Sequence, residues 1–94
     1  MNQAETRADK QAEAAQLRQE FWQAQPGAYV DRKTAAAARY VTPETLESEA
    51  IKGGGPPYIR VGRRALYRKG DLLAWMERTG RKVENTAQLS QVPA

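Results

Sequence analysis

Ninety-four residues with a net charge of +4 and 40% hydrophobic side chains suffice for one small domain with tails and a thin core. The chain has no cysteine and no histidine, which removes disulfides, thiolate metal sites and the commonest general base and metal ligand. No apolar run reaches the length of a membrane span or a signal-peptide core, so a soluble cytoplasmic chain is expected.

The charge is unevenly spread. Residues 1–28 and residues 83–94 each carry a net −1, whereas residues 29–82 hold 12 basic and 6 acidic side chains, a net of +6. A positive field confined to the middle segment suits a polyanionic partner, or else a solvated basic surface.

Residues 2–25 are rich in Ala, Gln and Glu, good helix formers with few apolar anchors. Residues 1–28 therefore read as a polar tail, partly helical or disordered, punctuated by Pro26-Gly27. Leu17, Phe21 and Trp22 stand out in it. They serve either as an interaction handle for a neighbouring copy or as packing on the chain's own domain.

The compact domain should span residues 29–80. Asp31 is a fitting N-cap for a helix through about Arg39, and Ala35 to Ala38 give that helix a slim face for close packing. Thr42 caps a second helix with Pro43 at its first position, running to about Ile51 and turning Leu46 and Ala50 inward. Gly53-Gly54-Gly55 ends it. This glycine run lacks the following Lys-Ser/Thr of a phosphate-binding loop, so it reads as a bend.

From Lys52 to Lys69 the chain carries six cations (Lys52, Arg60, Arg63, Arg64, Arg68 and Lys69) and no acid. Tyr58–Val61 and Ala65–Tyr67 read as two strands around Gly62-Arg63-Arg64, a hairpin with arginines at its tip. A last helix follows from about Lys69 to Arg78, with Asp71 in its first turn and Leu72, Trp75, Met76 and Thr79 on one face. The expected core is Leu46, Ile59, Val61, Tyr67, Leu72, Trp75 and Met76. Residues 81–94 read as a disordered tail.

Helix, tight turn, helix, glycine bend, hairpin, helix is the order of a winged helix-turn-helix, a mainly α fold with a small β-hairpin. The segments Asp31 to Ala36, Thr42 to Glu47, Gly53 to Tyr58 and Val61 to Trp75 resemble MerR-type winged helix proteins. They are most similar to the small excisionase and AlpA-like group. The resemblance spans about residues 29–79, and its most specific part is the string GPPY, VGRR, LYR, DL and AW. Two positions depart from the pattern: Tyr40 stands where the turn usually carries glycine, and Glu47-Ser48-Glu49-Ala50 replaces a run with an aromatic and an arginine.

The resemblance implies double-stranded DNA as partner. Arg60, Arg63, Arg64 and Arg68 are then expected on the wing, and Thr42, Glu44, Thr45, Ser48 and Lys52 on the groove-facing helix. It implies a recombination directionality factor that bends attachment-site DNA and steers a tyrosine integrase toward excision. The alternatives are an AlpA-like transcription regulator and a protein-interaction module without DNA binding. Cooperative self-association on DNA through Leu17, Phe21 and Trp22 is expected, in a bacterial or phage cytoplasmic setting on the nucleoid. No catalytic constellation, metal site, cofactor or membrane partner is expected.

Overall fold

The computed structural model describes residues 3–84, with side chains from residue 8 onward. The elements are α1 (Gln3–Gln23), β1 (Tyr29–Asp31), α2 (Arg32–Arg39), α3 (Pro43–Lys52), β2 (Ile59–Val61), β3 (Arg64–Arg68) and α4 (Lys69–Thr79). The protein is mainly helical, with one small antiparallel sheet in the order β1-β3-β2. Residues 85–94, most of the tail expected from residue 81, lie outside the described residues.

Local chemistry sets the starts of α2 and α3. Asp31 Oδ1 accepts the Thr34 N–H at 2.8 Å, and Thr42 Oγ1 accepts the Thr45 N–H at 3.2 Å with Pro43 opening α3. Each side chain takes one of the donors that a helix start leaves unpaired.

Between the two helices the chain turns within three residues, Tyr40, Val41 and Thr42, and Tyr40 adopts a left-handed conformation with φ 59°. The Val41 N–H reaches Ala36 O at 3.0 Å and the Tyr40 N–H reaches Ala37 O at 3.2 Å, the double closure of a Schellman motif. That conformation costs a residue with a Cβ about 1–2 kcal/mol. Arg18 of α1 offsets it: its Nε donates to Ala37 O at 2.8 Å, and its guanidinium lies 3.8 Å above the Tyr40 ring. An Arg18→Ala, Tyr40→Gly double-mutant cycle is therefore expected to return a coupling energy of about 0.5–1 kcal/mol in urea denaturation. Additive effects would mean that the stack does not support the turn.

The N-terminal segment belongs to the fold and is not a tail. Gln3–Gln23 is one helix lying against α2, whose alanines permit the close approach. Ala14, Leu17, Arg18 and Phe21 make the contacting stripe at i, i+3, i+4 and i+7, and Phe21 is 0% exposed in the core. Phe21 is thus not available to a neighbouring copy. Leu17 is half-buried, and Trp22 alone of the three is open, at 53%.

Lys69 locks the far end of this helix. Its buried ammonium donates to Trp22 O at 3.1 Å and Ala24 O at 2.8 Å, and it lies 5.3 Å from the Phe21 ring centre. A cation on the last carbonyls of a helix is favoured by the helix dipole. The Lys69 N–H and Gly70 N–H also bond to Ala28 O and Pro26 O, so the link after α1 is tied to the start of α4.

The sheet has one strand more than the hairpin expected from sequence. β1 pairs with β3 (Tyr29 with Arg68, Val30 with Tyr67, Asp31 with Leu66), and β2 pairs with β3 on the other side (Ile59 with Leu66, Val61 with Arg64). Strand side chains alternate, so Tyr67 and Ala65 share the inner face with Val30, while Ile59 and Val61 share the outer face with Leu66. Ile59 and Val61, expected in the core, are accordingly 45% and 55% exposed. Leu46, Tyr67 and Leu72 are buried as expected; Trp75 and Met76 are half-buried and pack against the same cluster.

Candidate nucleic-acid interface

The hairpin is closed by two residues, Gly62 and Arg63, between the last paired residues Val61 and Arg64. Gly62 has φ 63° and Arg63 does not share the positive φ, the requirement of a type II′ turn. The turn therefore needs glycine at position 62 and leaves position 63 free to carry a long cation at the tip.

The side chains of Arg60, Arg63 and Arg64 are exposed and make no hydrogen bond or ion pair among the described residues, and Arg60, opposite Ala65, lies on the other face of the sheet from Arg64. The other cations of the Lys52 to Lys69 run part company with them. Arg68 lies four residues along β3 from Arg64, about 13 Å at strand rise, and its Nη1 is 3.4 Å from Asp71 Oδ1. Lys69 is buried under α1 and cannot meet a ligand. Lys52 is exposed at the end of α3.

The fold adds two cations that sequence reading did not assign. Asp31, Arg32, Lys33, Pro43, Arg63, Arg64 and Ala65 line one open cleft of roughly 380 Å³. The pairing of Asp31 with Leu66 carries the start of α2 across the sheet to the base of the hairpin, which brings Arg32 and Lys33 beside Arg63 and Arg64. Arg32 is held by its Nε donating to the Tyr67 hydroxyl at 3.2 Å, and Lys33 pairs with Glu13 of α1. The cleft's single carboxylate, Asp31, has Oδ1 engaged by the Thr34 N–H. Lys33 is thus offset by Glu13, and Arg32, Arg63 and Arg64 carry the positive charge beside this open space, a field that favours anions. Nothing local in the sequence signalled it, because the two pairs stand some thirty positions apart.

The outer surface of α3 borders this region through Pro43. Glu44, Thr45, Ser48, Glu49, Lys52 and Gly53 line a shallow surface there. Thr42 and Thr45 are committed locally: their hydroxyls lie 3.0 Å apart, and Thr42 caps the helix. Glu44 and Ser48 carry no such commitment.

Glu49 is removed from the outer acid charge. Arg39 of α2 grips it with two bonds, at 2.6 Å and 3.2 Å, while the same guanidinium lies 4.5 Å over the Trp75 ring. Trp75 in turn donates its Nε1–H to Gly54 O at 3.3 Å. The glycine run serves this packing. Gly53 and Gly54 have φ near 88°, and a Cβ on Gly55 would come within 2.7 Å of Glu49 Cβ.

Among the described residues no group of three or more His, Cys, Asp or Glu side chains is placed to hold a metal ion, and no helix is long and apolar enough to cross a membrane. No protein-family model matches the chain, and no curated protein is significantly similar to it.

Proposed function

We propose that this chain binds double-stranded DNA as a winged helix-turn-helix module, with α2 and α3 as the two helices and the β2–β3 hairpin as the wing. The observation that carries the reading is the cleft of Arg32, Lys33, Arg63 and Arg64, which adjoins the start of α3. A backbone phosphate held there would sit beside both the wing and the helix that enters the major groove. Neutralisation of Glu49 by Arg39 supports it further, since it removes one of three charges that would repel phosphates from α3.

The role that suits such a module is that of an excisionase-like recombination directionality factor, which bends attachment-site DNA and directs a tyrosine integrase toward excision. One small domain covers little DNA, so several copies would act side by side. With Phe21 buried, contact between copies falls to Trp22 and other exposed groups.

Titrating labelled duplex DNA with the full chain across a salt series tests DNA binding. Three to four phosphate contacts predict a log–log slope of about −3 to −4. Undetectable binding, or affinity indifferent to salt, would refute it. A plasmid excision assay with and without the chain tests the role; intact DNA binding with no stimulation of excision points instead to a transcription regulator of the same fold.

A further inference from the structure

Ile51 is 79% exposed, the most open large hydrophobic residue among those described. It lies in the last turn of α3, a helix that turns Leu46 to the core. Neither core packing nor helix propensity calls for an isoleucine there, since a β-branched residue is a weaker helix former than its straight-chain alternatives. Glu47 precedes it by one turn at i−4, so the two share a face. Glu47 is exposed too, with no ion-pair partner among the described residues. The outer stripe of α3 thus joins an apolar group to an unpaired carboxylate, both without an internal role.

Each group has a counterpart in the major groove. A carboxylate there is repelled by phosphates but accepts a hydrogen bond from the cytosine N4 amino group, and an apolar side chain packs on the thymine 5-methyl group. We infer that the Glu47–Ile51 stripe reads a short pyrimidine sequence, with Ile51 seated on a thymine methyl and Glu47 accepting from a cytosine amino group nearby. The two side chains are about 6 Å apart along the helix, and base steps are about 3.4 Å, so the two bases lie within about two steps of each other. This specificity rests on the DNA-binding reading above.

The test begins by selecting duplexes from a random-sequence pool with the full wild-type chain. The selected consensus is expected to hold a thymine within two steps of a cytosine. Each thymine is then replaced by deoxyuridine, which removes only the methyl group. One replacement should weaken wild-type binding about fourfold, equivalent to the ~0.8 kcal/mol of one buried methyl-sized group. Ile51→Ser should bind both duplexes alike, and Glu47→Gln should lose at least about fivefold of its preference for the cytosine. Both positions are exposed, so both variants should melt like wild type. Insensitivity to deoxyuridine throughout, sensitivity retained in Ile51→Ser, or a selection without any consensus overturns the specificity while leaving DNA binding standing. Failure to bind any duplex overturns both.

Discussion

Phe21→Ala is expected to leave the protein largely unfolded under conditions where the wild type is folded. Phe21 is wholly buried against the alanine face of α2, and the Lys69 ammonium closes over it on the α4 side. Truncating a buried phenylalanine costs about 3–5 kcal/mol. The entire stability of a small domain is about 5–15 kcal/mol, and 94 residues belong near the lower end. Removing the ring also leaves Lys69 beside a void, so nothing compensates for the loss. Trp22→Ala, one residue on but 53% exposed, should cost no more than about 1 kcal/mol and is the control. Thermal melts followed by circular dichroism decide the matter. Equal melting temperatures for Phe21→Ala and wild type would mean that α1 is an appendage. Deleting residues 1–25 should collapse the melt for the same reason.

Arg63→Ala combined with Arg64→Ala should weaken binding to every duplex by roughly 60-fold near 0.1 M salt and flatten the salt dependence by about 1.8 in log–log slope, at about 0.9 per lost phosphate contact. The loss should be uniform across sequences, because phosphate contacts position a protein and base contacts specify its site. The fold should survive, since both side chains are exposed and the turn depends on Gly62. Arg68→Ala is the informative contrast. It carries the same charge on the same strand, but it stands about 13 Å away beside Asp71, so its effect should be several-fold smaller. Anisotropy titrations at several salt concentrations separate these outcomes. A double variant that binds like wild type would show that the hairpin tip is not the grip.

What the sequence determined by itself was the set of features governed by neighbours in the chain. Asp31 and Thr42 start helices because a short side-chain oxygen reaches a backbone N–H three residues ahead. Gly62 marks a hairpin because glycine tolerates the positive φ of a tight turn, although Arg64, read as part of that turn, opens β3, and Leu72 falls on a face shared with Trp75 and Met76 through helical period. None of these needs a distant partner. The departure at Tyr40 was legible as well, but its remedy was not, since Arg18 comes from another helix.

Tertiary structure decided the rest. β1 has three residues and little strand signal, and it exists because its backbone pairs with β3 nearly forty residues later. The same register points Ile59 and Val61 outward, since alternation fixes which residues share a face but leaves open which face meets the core. Lys69, one cation in a basic run by sequence, is a buried helix cap because α1 ends above it; Arg32 and Lys33 join Arg63 and Arg64 only across the sheet. Charge and propensity belong to single residues and short windows, whereas burial and the company a cation keeps depend on which distant segments pack together.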